Sequence, residues 1–148
     1  MAFDFPLEAI LRLRRGLERM ERLKVEALAS EQARARNELE NITQQFVTDR
    51  RQFLERIRQE TCGSELQFEA MRAERVEAAQ HRLKSRISEL EQLRLNQVVA
   101  FTKARQNREV LENLRDKKFD IYTQELIRRE QQGMDDLFLM RLNLNREE

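Results

Sequence analysis

The side chains that most often carry nucleophilic, acid–base or metal chemistry are nearly absent from this sequence. Its 148 residues include one histidine, His81, and one cysteine, Cys62. A zinc site needs several Cys and His side chains at set spacings, and a phosphate-binding loop needs clustered glycines followed by a lysine. The sequence therefore predicts no catalytic residue, no metal site and no cofactor, and we interpret the protein as not an enzyme.

Carboxylates are plentiful, with 27 Asp and Glu residues, but acid–base catalysis by a carboxyl group needs a pocket that shifts its pKa. The composition argues against such a pocket. The chain is 37% charged, with three glycines, one proline and no tryptophan, which is typical of long helices or coiled coils. Charges of mixed sign indicate a solvated helical surface.

Apolar residues recur at spacings of three and four in two segments, which predicts two long helices. Helix 1 is expected over about residues 5–60, with Asp4 as its N-cap and Pro6 in its first turn. Helix 2 is expected over about 64–132, followed by an apolar tail at 133–148. The stripe of helix 1 contains Val25, Leu28, Ala35, Leu39, Ile42, Phe46 and Phe53, with Gln32 and Asp49 interrupting it, and Leu7, Ile10, Leu17 and Met20 continue it on a slightly rotated face. The stripe of helix 2 contains Leu66, Met71, Leu83, Ile87, Leu90, Phe101, Ala104, Leu111 and Leu114.

The stretch RQETCGSELQ, residues 58–67, predicts a chain reversal between the two helices. Gly63 suits a left-handed helix C-terminus, and Ser64 with Gln67 matches a capping box that starts a new helix. A continuous helix through this stretch is the alternative. With a turn at 61–64, the register places Ile42 opposite Leu83, Ile57 opposite Phe68, Leu11 opposite Leu114, and Phe46 opposite Ala79. The predicted fold is all-α, a single domain at 1–148 that forms a long antiparallel two-helix coiled-coil hairpin with a C-terminal overhang.

In this register the start of helix 1 lies opposite about residue 118 of helix 2. The rest of the chain after that residue forms an unpaired overhang. A two-helix coil buries one seam only and is expected to be marginally stable or to need a partner. The overhang carries the apolar residues Phe119, Ile121, Tyr122, Leu126, Met134, Leu137, Phe138 and Met140. Exposed apolar clusters of this kind mark binding surfaces; pairing within a homodimer, or fraying, is the alternative.

The charge distribution and the N-terminal sequence indicate which class of partner and which location to expect. The formal net charge is +1, and the basic clusters at 12–24 and 103–118 are diluted by Asp and Glu, so no nucleic-acid partner is predicted. The N-terminus lacks the features of a signal peptide, and no apolar run reaches the roughly 18 residues that span a bilayer. We expect a cytoplasmic protein.

Three stretches resemble the flagellar FliJ family of the type III export apparatus: FDFPLEAILRLRRGLER at 3–19, ARQNREVLENLRDKKFDIY at 104–122, and QQGMDDLFLMR at 131–141. The resemblance extends over nearly the whole chain. It implies an antiparallel coiled coil similar to the central stalk subunit of rotary ATPases. It also implies three partners: the hexameric export ATPase, whose assembly or activity it promotes, the cytoplasmic part of the membrane-embedded export gate, and export chaperones. The location it implies is cytoplasmic and peripheral to the membrane at the export apparatus.

Carried over by position, the resemblance implies two sets of partner-binding residues. Contacts with the ATPase would fall on Leu7, Ile10, Leu11, Arg14 and Arg15, and on the overhang from Phe119 to Leu142, including Tyr122, Leu126, Met134, Leu137 and Phe138. Contacts with the gate would fall on Ile42, Gln45, Asp49, Met71, Arg75, Ala78 and Arg82. Several of the second set are polar where the family tends to be apolar. The alternatives are a general coiled-coil scaffold or homodimer, and a chaperone for exported substrates; flagellar and virulence-type export stay open.

Overall fold

The computed structural model describes residues 3–58 and 62–144 and contains two long helices. Helix α1 spans Glu8–Ile57, 50 residues, and helix α2 spans Gly63–Leu144, 82 residues. The described residues contain no strand. Side chains of α1 contact side chains of α2, so the prediction of an all-α, two-helix hairpin is confirmed.

The chain divides into two compact units, Met1–Glu18 with Lys103–Glu148 (unit 1) and Arg19–Thr102 (unit 2). Each unit contains a part of α1 and a part of α2. The interpretation of 1–148 as one coiled-coil domain stays a prediction.

The two helix segments are antiparallel within each unit. In unit 1, Glu8 pairs with Arg115 and, further along α1, Arg15 pairs with Glu112. In unit 2, Gln80 donates a hydrogen bond to Thr43 at 3.0 Å, and Arg72 pairs with Asp49. In both units the partner's number falls as the α1 number rises, as in a hairpin.

On each helix the covered positions follow one narrow stripe, here called the seam. On α1 it contains Leu11, Arg14, Glu18, Glu21, Val25, Leu28, Gln32, Ala35, Leu39, Ile42, Phe46, Asp49, Phe53 and Ile57. On α2 it contains Leu83, Ile87, Leu90, Arg94, Gln97, Phe101, Ala104, Arg108, Leu111 and Arg115. The alternating steps of three and four residues are the heptad pattern of a coiled coil. Leu11 and Leu90 are fully buried.

The first turn of α1 differs from the expectation. The helix begins at Glu8 rather than near residue 5, and the Glu8 N–H donates to the carbonyl oxygen of Phe5 at 3.0 Å. Asp4 is therefore too far from the helix start to be its N-cap. The physical reason is that Phe5 is buried, with its ring 5.9 Å from the ammonium of Lys118, which fixes the chain before the helix starts.

α1 ends at Ile57 and α2 begins at Gly63, so Gly63 and Ser64, expected to belong to the turn at 61–64, lie in α2. Gly63 is the first residue of α2 and does not have a positive φ, so it is not a left-handed C-cap. The carbonyl oxygen of Cys62 accepts the Glu65 N–H at 3.1 Å, and the Ser64 hydroxyl donates to the Cys62 sulfur at 3.3 Å. Ser64 thus lies inside the helix, and Cys62 takes the N-cap place. The predicted turn residue Thr61 lies outside the described residues.

Several apolar residues assigned to the seam lie outside it. Near the turn the covered positions of α2 are Glu69, Ala73 and Val76, so Leu66, Phe68 and Met71 are 50–67% exposed and the predicted pair of Ile57 with Phe68 is wrong. Near the start of α1 the seam passes through Arg14, Glu18 and Glu21. Consequently Ile10, Leu17 and Met20, at 38–57% exposed, point away from α2.

Helix α2 continues past the end predicted for it. It runs through Gly133, which has no positive φ, to Leu144. Residues 133–144 are therefore the last turns of α2 and not a separate tail. Because α1 has no residues left to pair with them, the α2 residues 123–144 are here called the overhang.

Candidate functional site

The segment before α1 packs on α2 in unit 1 and marks where the overhang begins. The Phe3 ring lies 5.2 Å from Phe119 in an edge-to-face arrangement and 5.6 Å from Tyr122, measured between ring centroids. Such aromatic pairs stabilise a contact beyond the area that they bury. Phe119 and Tyr122, expected to be unpaired, therefore have partners, and the unpaired part of α2 starts after them.

Next to this aromatic cluster along the helix pair, charged side chains occupy the seam of unit 1. Arg108 donates hydrogen bonds to both Glu18 on α1 and Glu112 on α2, and Arg15 donates to Glu112 at 3.0 Å. Arg108 and Glu18 are each only 19% exposed. The hydrogen bond to Glu18 raises the pKa of Arg108. This network replaces an apolar layer and fixes which α2 residue faces Glu18, since buried polar pairs specify register in coiled coils.

Because the pKa of Glu112 is lowered, the network can be tested by measuring stability at different pH values. Burial raises the pKa of Glu112, but hydrogen bonds from Arg15 and Arg108 outweigh it, and the net pKa lies below the ordinary value of 4.5. A carboxyl group with a lowered folded pKa stabilises the fold above its unfolded pKa and loses that contribution as pH falls through the folded pKa. We expect Glu112→Gln to destabilise the protein at neutral pH and to cost progressively less as pH drops below 4.5. Urea unfolding across this range measures it.

The matched control is Glu125→Gln, because Glu125 is exposed on the overhang. Its effect on the free energy of unfolding should be small, as for other exposed surface substitutions. If Glu112→Gln destabilised the protein equally at neutral and acidic pH, the ion-pair network would not be the cause.

The overhang presents a broad, uncovered apolar surface. Leu126 is 39% exposed, and Met134, Leu137, Phe138 and Met140 are each 63–65% exposed. On a helical wheel these five residues and Ile127 fall within an arc of about 160°. An arc this wide is typical of a helix that packs against other helices and is wider than a two-stranded seam. Residues of both charge signs, such as Arg128 and Asp135, lie on the other side.

A second uncovered apolar surface lies beside the seam in unit 1. Arg15 and Glu112 mark one flank of the helix pair. The other flank, formed by the residues that come one position before the seam positions, is apolar on both helices. It is here called the apolar flank and consists of Ile10, Leu13, Leu17, Val110, Leu114 and Ile121, which are 37–66% exposed. Sequence reasoning missed Leu13 and Val110, although the steps of three and four from Ile10 to Leu17 were a usable signal.

The residues implied for ATPase binding divide into covered and exposed ones. Leu11 is fully buried and cannot contact a partner while the seam is closed; this part of the prediction needs correction. Leu7 and Arg14 are half-buried, and Arg15 is engaged with Glu112. Ile10 lies on the apolar flank. The exposed members in the overhang are Leu126, Met134, Leu137 and Phe138.

The residues implied for gate binding all lie in unit 2 but do not form one surface. Ile42 and Asp49 are seam positions, and Asp49 accepts a hydrogen bond from Arg72. Gln45 is exposed on α1. The four α2 residues are exposed and spaced to share one helix face: Met71, Arg75, Ala78 and Arg82. The seam and the exposed face are thus separate environments.

The remaining reactive side chains lie apart from these surfaces. His81 is exposed on α2. Cys62 is exposed at the start of α2, where hydrogen bonds from the side chain and backbone of Ser64 lower the pKa of its thiol. Within residues 3–58 and 62–144, His, Cys, Asp and Glu side chains form no group of three or more that could hold a metal ion. What this arrangement offers is apolar surface for binding.

Comparison with known proteins identifies no related protein. No family model matches the chain, and no curated protein and no solved structure matches it significantly. Neither α1 nor α2, over the part described, has a stretch long and apolar enough to cross a membrane.

Proposed function

We propose that this chain is a non-enzymatic component of a type III protein export apparatus that binds the hexameric export ATPase through the overhang and promotes its assembly or activity. The observation that carries the proposal is the overhang itself, whose large apolar side chains are uncovered over several helical turns. Contiguous apolar surface of this kind is rare on proteins that work alone. Of the stretches that resemble the export family, 131–141 lies in the overhang and 104–122 lies directly before it on α2.

The hairpin supports this use of the overhang by holding its base. Phe3 and Phe5 pack on α2 just before the overhang, and the Arg108 network closes the seam below them. A helix anchored in this way can present side chains to a partner without first paying the entropy of ordering its base. Helix-in-groove recognition, with apolar anchors at helical spacing, is the mode that this surface fits.

The experiment is binding to a purified export ATPase, with ATP hydrolysis as the second readout. Leu137→Ala with Phe138→Ala removes two side chains that are each 64% exposed. We expect at least tenfold weaker binding, about 1.4 kcal/mol, and loss of any stimulation. The control is Val47→Ala with Leu54→Ala in unit 2, two side chains 53–54% exposed. Equal binding by the wild type and the overhang variant contradicts the proposal.

Links to the export gate and to export chaperones belong to the same proposal. The link to the gate has its own test. The exposed face formed by Met71, Arg75, Ala78 and Arg82 is the surface available to a gate partner in unit 2. Met71→Ala with Arg75→Ala should weaken binding to the cytoplasmic part of the gate protein and leave ATPase binding unchanged.

A further inference from the structure

One narrow face of α2 carries a row of residues that the seam does not use. The row, here called the α2 stripe, consists of Phe119, Tyr122, Leu126, Gly133, Leu137 and Met140. At 3.6 residues per turn these six positions fall within an arc of about 60°. Phe119, Leu126, Leu137 and Met140 are 39–64% exposed, so the row continues as open surface from the place where Phe3 packs.

The α2 stripe has the same spacing in both directions. From Phe119 the steps are three, four, seven, four and three, and from Met140 backwards they are identical. Two copies of the stripe laid antiparallel therefore match at every position. Phe119 then lies opposite Met140, and Tyr122 lies opposite Leu137. A surface that complements itself in this way is what a two-fold symmetric dimer requires.

Gly133 fits the same arrangement. In the antiparallel register it lies opposite Leu126 of the second copy, so a large side chain meets a residue with none. A Cβ atom built on Gly133 would have no atom within 4 Å, and nothing inside the hairpin therefore requires a glycine there. Glycine in a helix interior costs about 1 kcal/mol relative to alanine; against a second helix it allows close approach.

The charges at the centre of the interface balance. The two-fold axis of this register passes between Arg129 and Glu130, so two arginines and two glutamates lie around it and their charges sum to zero. Within the described ranges, 3–58 and 62–144, neither side chain has an ion-pair partner.

We propose that two copies of this chain associate through their α2 stripes, antiparallel and about a two-fold axis between Arg129 and Glu130. Two helices packed over residues 119–140 cover on the order of 1,200 Å², the lower end of specific interfaces. The dimer is accordingly expected to dissociate in the micromolar range. The inference does not depend on the proposed function. Since Leu126 and Leu137 serve both surfaces, a partner that binds the overhang competes with the second copy.

The test is sedimentation of the full chain across the micromolar range, with the wild type and two charge reversals. Arg129→Glu and Glu130→Arg each leave four charges of one sign around the axis, and each variant alone should dimerise at least tenfold more weakly than the wild type. An equimolar mixture of the two restores opposite charges at both positions and should form a heterodimer. Because both residues are exposed, circular dichroism should show unchanged helix content.

The matched control is Arg128→Glu, because Arg128 lies on the opposite side of α2 from the stripe and its reversal should leave dimerisation unchanged. A wild-type protein that stays monomeric throughout the range, or a mixture that gives no heterodimer, overturns the proposal. Phe138 lies off the stripe, so Phe138→Ala weakens only the proposed ATPase contact. Failure of the dimer and failure of the proposed function are therefore distinguishable.

Discussion

Replacing Leu11 by alanine is expected to lower the free energy of unfolding by about 2–4 kcal/mol, the usual range for a fully buried leucine. Leu11 is 0% exposed in the seam of unit 1. Its loss leaves a cavity between α1 and α2 that a two-helix packing has no second layer to fill. Urea unfolding followed by circular dichroism measures the effect.

Leu13→Ala is the matched control, since Leu13 is 61% exposed two residues away on the same helix. Its expected effect is within about 0.5 kcal/mol, as for surface substitutions. Comparable losses from both variants would mean that α1 does not bury Leu11 against α2. The comparison also separates a core role for Leu11 from the partner contact that the family resemblance implied.

The second large effect is expected at Arg108. Arg108→Ala removes the donor shared by Glu18 and Glu112 and leaves two carboxylates facing each other in the seam. Removing one member of a buried pair costs about 3–5 kcal/mol; because these groups are still partly exposed, we expect about 2 kcal/mol. Unfolding at neutral pH is the measurement.

Two further variants test the cause. Arg105→Ala removes an exposed arginine, which pairs with Glu109 at 2.7 Å, and should cost no more than about 0.5 kcal/mol. The double variant Glu18→Leu with Arg108→Leu should regain stability or exceed the wild type, because an apolar layer often replaces a buried ion pair without loss. If the double variant were as unstable as Arg108→Ala, loss of charge pairing could not explain the effect.

The seam and the turn could be predicted from sequence because both depend on local regularities. Val25, Leu28, Ala35 and Leu39 alternate at steps of three and four, and this periodicity alone identifies the buried face of α1. The turn was placed near Gly63 by the only cluster of helix-breaking signals in the middle of the chain. Its detailed geometry depends on which residue takes the cap, and Cys62 is a poor sequence signal for that place.

What could not be predicted depends on contacts between distant parts of the chain. Phe3 and Phe5 pack on α2 because α1 begins beside Phe119 and Tyr122, which no local pattern reveals. Arg14 and Glu18 occupy seam positions where apolar residues are expected, so the periodicity led to Ile10 and Leu17 instead. The ion pair between Glu18 and Arg108 joins α1 and α2 in this part of the seam.

The candidate site was predicted unevenly for the same reason. The overhang was predicted because Met134, Leu137 and Phe138 form an apolar cluster beyond the part of α2 that α1 can pair with. These three side chains are exposed in the structure. The apolar flank was missed, since it needs residues of both helices on one side of the seam. Leu11 was misassigned because an apolar residue near a chain end can serve the core or a partner equally well.

The most direct test of the hairpin is the distance between spin labels at positions 43 and 80, measured in a Cys62→Ser background diluted with unlabelled protein. Thr43 and Gln80 are 37 residues apart in sequence and joined by a 3.0 Å hydrogen bond. Helix axes separated by about 8–10 Å predict labels within about 20 Å of each other. A separation near 55 Å, as in one continuous helix at 1.5 Å per residue, would contradict the pairing of α1 with α2 on which this account of the protein depends.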